Sequence, residues 1–161
     1  GYFHTGDIGI VDNNGFLKIT DRKKEIFKTS GGKYIAPQIL ENTMKQSRFI
    51  EQIMVIGDGE KMPAAFVQPN FEFVKEWAQE KGLSVGNTNA EIASSSEVHA
   101  RIMQEIEEYN KQFGHWEMIK KIALTPDVWS IDAGHLTPTM KLKRKAIKEI
   151  YQSLYSQIYN C

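Results

Sequence analysis

Cysteine is almost missing from this chain: of its 161 residues, only the last, Cys161, is one. An intramolecular disulfide is therefore excluded, and the composition fits a reducing, cytoplasmic compartment. A catalytic thiol needs a held base beside it, so a lone terminal cysteine reads as incidental. Net charge is absent too. With 20 basic and 20 acidic residues, no overall field draws the chain toward nucleic acid or an anionic membrane. No apolar run reaches transmembrane length, and no signal peptide is seen. His4, His99, His115 and His135 are scattered, without cysteine or acidic neighbours at ligand spacing, so no metal site is expected. An initiator methionine is also lacking, and the chain opens inside a motif. The expectation is an excised domain whose main catalytic apparatus lies in a preceding segment.

What is present suits one globular domain. A hydrophobic content of 41% supports a core, and 25% charged residues is an ordinary globular level. Ile8 to Val11 and Phe16 to Thr20 flank Asp12-Asn13-Asn14-Gly15, which reads as a hairpin, because Asn and Gly tolerate positive φ. Pro37 fits the first turn of a helix running to about Ser47, with Ile39, Leu40 and Met44 inward. The apolar runs Ile50 to Ile56 and Ala64 to Gln68 read as paired antiparallel strands. Phe73, Val74, Trp77 and Ala78 mark a helix ending at Gly82. Residues 83–96 read as a surface loop. Val98, Ile102, Ile106, Tyr109 and Phe113 mark a second, longer helix. Ile119 to Leu124 reads as a third strand. A closing helix from about Lys143 would turn Ile147, Ile150, Tyr151, Leu154 and Ile158 inward. The fold class expected is α+β: a small antiparallel three-stranded sheet flanked by helices, with an N-terminal two-stranded hairpin.

Four stretches carry chemistry. In Tyr2-Phe3-His4-Thr5-Gly6-Asp7, the Asp7 carboxylate has two oxygens and matches a vicinal diol such as a ribose, although a polar turn explains it equally well. Thr20-Asp21-Arg22-Lys23-Lys24-Glu25 has the look of a solvated charged face. It can also act as a hinge, where a few residues absorb large dihedral changes, with Arg22 donating to a ribose or phosphate oxygen. Lys28-Thr29-Ser30-Gly31-Gly32-Lys33-Tyr34 is not a phosphate loop, since Phe27 stands where that pattern needs Gly and Tyr34 where it needs Ser or Thr. Its paired glycines still allow a slender ligand to approach the backbone. The fourth stretch, Thr137 to Lys143, begins a basic cluster of Lys141, Lys143, Arg144, Lys145 and Lys148. A compact cation on a long stem suits a reaction that brings two anions together.

In this order, the four stretches resemble the C-terminal domain of the adenylate-forming superfamily, which includes acyl-CoA synthetases, luciferases and the adenylation domains of peptide synthetases. Within it, Asp21 to Lys33 and Leu136 to Arg144 look like long-chain fatty acyl-CoA ligases. The resemblance implies a larger N-terminal domain of the same polypeptide ending in residues 1–20, a hinge at 21–25 and a mobile C-terminal domain at 26–161. It implies Tyr2, Asp7 and Arg22 at the nucleotide and Lys24 at the pivot. It places Ser30, Gly31, Gly32 and Lys33 beside the pantetheine channel. The cofactors implied are ATP, Mg2+ held mainly by the absent N-terminal domain, and CoA. The acid implied is a fatty acid.

The closing motif departs from the common Pro-x-Thr-x-x-Gly-Lys, because Pro138-Thr139-Met140-Lys141 is shorter and lacks that glycine. Aligning the following helix without a gap makes Lys141 the catalytic lysine, and counting from Thr139 makes it Lys143. Lys141 is preferred. The isolated chain is expected to be inactive. Rival readings are an adenylating domain for an aryl, short-chain or carrier-linked acid, and a non-enzymatic module that binds anions through the 141–148 cluster. Peripheral membrane association through Tyr151, Tyr155 and Tyr159 is left open, the helix's apolar side reading first as core.

Overall fold

Central strands buried on both faces organise this computed structural model, which describes residues 7–11, 13–15, 17–22 and 25–160, with backbone alone over 7–11 and 17–22. The strands β1 (Asp7–Val11) and β2 (Leu17–Arg22) form the expected hairpin, closed by a turn in which Gly15 has φ +82°. A second small hairpin follows, β3 (Phe27–Lys28) with β4 (Tyr34–Ile35), around residues 29–33. The helix α1 (Pro37–Met44) starts on its proline and buries Leu40 and Met44. Ile39, expected inward, is 37% exposed.

The main sheet has the order β5 (Ile50–Ile56), β6 (Ala64–Pro69), β7 (Lys121–Leu124). Three strands were expected, and β5 and β6 pair antiparallel as expected. The third differs: β7 runs parallel to β6, with Ala64 opposite Lys121 and Val67 opposite Leu124. A parallel pair needs a long crossover. Here it consists of α2 (Phe71–Glu80), α3 (Asn89–Ser94) and α4 (Ser96–Asn110). The stretch read as a surface loop thus contains α3, which starts in a capping box between Thr88 and Glu91 and buries Ile92.

Successive strand residues point to opposite faces of the sheet, and both faces are covered. Ile53, Val55, Ala65, Val67, Ile122 and Leu124 join the core under α1, α2 and α4. Met54, Ile56, Ala64 and Phe66 join a second core with Trp129, Ile147, Tyr151 and Ile158. Both faces being covered explains why these strands read as continuous apolar runs. The second face is covered by α5 (Arg144–Ile150) and α6 (Gln152–Tyr159), not by one unbroken helix. Tyr151 leaves helical geometry between them, at φ −104° and ψ 30°. Ile150, the last residue of α5, was expected inward and is 46% exposed.

Candidate functional site

The lysine motif forms a short hairpin rather than a plain helix entry. Leu136 bridges Leu142, and the Lys143 N–H donates to His135 O at 2.8 Å. Its tip is the three-residue loop Pro138-Thr139-Met140, closed by Thr137 and Lys141. The Met140 N–H donates to Thr137 O, and the Thr137 N–H to Lys141 O, both at 2.8 Å. Met140 itself has φ +63°, the only described non-glycine residue in left-handed backbone. A turn followed by one left-handed residue is a standard way to close a three-residue hairpin loop, and the left-handed position normally takes glycine. Met140 therefore occupies a glycine-type position directly before Lys141. Sequence reasoning counted the glycine as missing, but its backbone conformation is present.

The two candidate lysines diverge from there. Lys141 lines a polar cleft of about 130 Å3 with Glu25, Gln38, Glu41, Gln52 and Arg144. Lys143 lies outside it, in an open depression with Lys145 and Glu149. Both lysines are exposed, and neither ammonium has a partner among the described residues.

One ion pair braces the cleft. Arg144 donates from Nη1 and Nη2 to the two oxygens of Glu41, each at 2.7 Å, and from Nη2 to Glu25 at 3.3 Å. The same Glu41 carboxylate accepts the Val55 N–H at 2.8 Å. Burial pushes the Glu41 carboxyl upward, and the Arg144 guanidinium and the Val55 N–H oppose this. Sequence reasoning missed this brace. A lone glutamate on an amphipathic helix reads as a surface residue, and its partner stands far away in the chain.

The loop Ser30-Gly31-Gly32-Lys33 sits elsewhere. Gly32 has φ +83° and its N–H donates to Thr29 O, while the Ser30 N–H donates to Glu60 O at 2.9 Å. Glu60 is held in turn by the Tyr155 hydroxyl at 2.7 Å. Lys33 reaches over the exposed ring of Trp116, 5.7 Å from its centroid. Gln52 borders the Lys141 cleft, whereas the loop is tied to the turn after Ile56. The two candidate elements thus adjoin β5 at different points along its length.

The hairpin brings Asp7 and Arg22 together as cross-strand partners, two residues expected at the nucleotide. Tyr2 and Lys24 lie outside the described residues. Tyr151, Tyr155 and Tyr159 all spend their hydroxyls inside the domain, on Asp127, Glu60 and Met62 O respectively. The basic cluster is divided as well, since Arg144 is ion-paired and Lys148 lies 4.5 Å from the Tyr155 ring centroid. Among the described residues, no group of His, Cys, Asp and Glu could hold a metal, and no helix is long and apolar enough to cross a membrane.

A buried relay supports the base of the lysine hairpin. The His135, Trp129 and Tyr151 rings form a three-way cluster, each pair of centroids 5.8–6.2 Å apart. Its Nδ1 accepts the Ser130 N–H at 3.3 Å, which puts the ring proton on Nε2, 3.0 Å from the Tyr151 oxygen. Tyr151 passes its own proton toward Asp127 at 2.9 Å. Burial lowers the His135 pKa against the pull of Asp127, and it raises that of Tyr151.

Comparison with known proteins gives a consistent picture. A family model described as the AMP-binding enzyme C-terminal domain matches residues 24–161. The long-chain-fatty-acid–CoA ligase FadD15 of Mycobacterium tuberculosis is 38% identical over 160 residues, 99% of this chain and 27% of that protein. Human long-chain-fatty-acid–CoA ligase 1 is 38% identical over 163 residues, 99% of this chain and 23% of that protein. The adenylation domain of a Mycobacterium chelonae carboxylate reductase shares the fold, with a TM-score of 0.82 at 22% identity, over 100% of this chain and 23% of that one. The chain thus spans about a quarter of the length of the curated relatives it matches.

Proposed function

The chain belongs to the family of AMP-binding enzyme C-terminal domains, and from that premise we propose that it serves an AMP-forming long-chain fatty acyl-CoA ligase. In the first half-reaction a fatty carboxylate oxygen attacks the α-phosphorus of ATP. A P–O bond forms to give acyl-AMP, and pyrophosphate leaves. In the second, the CoA sulfur attacks the acyl carbonyl, the thioester forms, and AMP leaves with the bond's electron pair.

Lys141 is the residue proposed for the first half-reaction. Two anions converge there, and a cation delivered to both lowers the barrier most where charge builds up. The observation that carries this reading is the Met140–Lys141 turn. It sets a lysine directly after a left-handed backbone position, at the lip of a cleft that it shares with Glu25.

Glu25 closes the segment proposed as the hinge. Rotation there would withdraw Lys141 and turn the Gly31-Gly32 loop toward CoA. Separating the two elements along β5 suits a domain that serves two transition states in turn, because one fixed surface cannot complement both. Asp7 and Arg22, facing each other across the hairpin, are proposed to hold the ribose hydroxyls. Magnesium is proposed to accompany the ATP phosphates and to be held mainly by the N-terminal domain.

The 38% identity to two long-chain ligases over nearly the whole chain supports the choice of acid. The test is ATP–pyrophosphate exchange by the full-length parent over a panel of acids. Exchange that rises with saturated chain length is expected. Exchange confined to aryl or short acids would refute this choice of substrate.

A further inference from the structure

Three segments distant in sequence meet at one guanidinium. Arg144 follows the lysine hairpin and opens α5. Glu41 projects from α1 and also takes the Val55 N–H of β5. Glu25 stands at the end of the segment proposed as the hinge. The Glu41 side chain is 5% exposed, whereas those of Arg144 and Glu25 are 22% and 25% exposed. The brace is therefore anchored in the core at one end and open to the cleft at the other.

The geometry of this contact does more than neutralise charge. A bidentate guanidinium–carboxylate pair fixes the plane and the approach of both partners, which a point charge such as lysine cannot do. The hairpin tip is otherwise built from its own local bonds, and Met140 at its end is 61% exposed. Beyond Arg144, the hairpin is tied to the domain by the burial of Leu136, the packing of Leu142 in the second core and the His135 relay at its base. These contacts join it to the second core and to the segment after β7. Arg144 joins it to the hinge side, through Glu25.

We propose that Arg144 is a positioning residue for adenylation. With Glu41 as its anchor and Glu25 as its second partner, it locks the lysine hairpin to the hinge end of the domain. A rotation at the hinge then carries Lys141 to one reproducible place. Displacing a reacting group by about 1 Å can cost on the order of a hundredfold in rate, so a device of this kind has kinetic consequences. The inference rests on the reading of Lys141 given above.

The test uses the full-length parent with each half-reaction measured separately. Arg144→Lys keeps the charge and removes the fork. Glu25→Gln removes the charge of the outer branch, on a partly exposed side chain, and leaves at most a neutral hydrogen bond there, so the core pair is kept. The expected result is adenylate formation slowed about tenfold or more in Arg144→Lys and several-fold in Glu25→Gln. The KM for ATP stays unchanged, and CoA consumes supplied acyl-adenylate at the parental rate. Parallel loss of both half-reactions would mean a merely structural role, and undiminished adenylation in both variants would remove any role. Lys141→Ala is the control. If it abolishes adenylation while the two variants behave like the parent, the positioning role alone fails. If it leaves adenylation intact, the reading of Lys141 fails with it.

Discussion

Arg144 grips Glu41 across 103 positions of chain, with two hydrogen bonds of 2.7 Å. Removing one partner from such a pair leaves the other buried and uncompensated, which typically costs about 3–5 kcal/mol. Arg144→Met should therefore lower the urea midpoint sharply, and Arg144→Lys less. An unfolding free energy for Arg144→Met within about 0.5 kcal/mol of the parent would show that water reaches Glu41 freely.

Met140 holds a conformation that costs a side chain about 1–2 kcal/mol. Met140→Gly relieves that strain but frees the unfolded chain, a loss of about 0.5–1 kcal/mol. The exposed side chain gives up little packing. The net expectation is a neutral to slightly higher thermal midpoint, whereas Met140→Val, with a branched Cβ at positive φ, should lower it. Equal midpoints for all three would mean that the loop adopts another conformation.

Gly31 and Gly32 separate structure from function. A Cβ on Gly31 would meet nothing within 4 Å, whereas Gly32 has φ +83°. Gly31→Ala should leave stability within about 0.5 kcal/mol of the parent while slowing the CoA half-reaction. Gly32→Ala should cost about 1 kcal/mol or more in stability. A Gly31→Ala enzyme with a parental CoA step would place the pantetheine channel elsewhere.

His135 makes stability depend on pH in a definite direction. Its folded pKa is depressed below the ordinary 6.5, chiefly by burial. Its contribution is therefore complete above about 6.5 and is lost as pH falls through the lower folded value. Protonation also forfeits the Ser130 N–H bond to Nδ1. Denaturation at pH 7.5 and 5.5 should show the parent losing more stability than His135→Gln. An equal loss in both proteins would assign the pH dependence to other groups.

Much of this architecture was legible in the sequence. Pro37 marked the start of α1, Asn and Gly marked the first hairpin, and apolar periodicity marked α2 and α4. The parallel pairing of β7 was not, because its strand reads the same in either direction and only the crossover decides. The helix α3 was hidden by its Ser and Asn content, which favours caps as much as loops. The break at Tyr151 has no local breaker residue; its hydroxyl is held by Asp127 in the segment that follows β7. For the site, the lysine was visible as a motif. Its glycine-type turn was masked by Met140, and the Arg144–Glu41 brace left no local trace.

The alternating-domain account turns on Lys141. The most direct measurement is the full-length parent carrying Lys141→Ala, with adenylate formation and CoA consumption of supplied acyl-adenylate assayed separately. The account predicts that adenylate formation collapses while the CoA step continues. Survival of adenylate formation would contradict it and move the role to Lys143 or out of this hairpin.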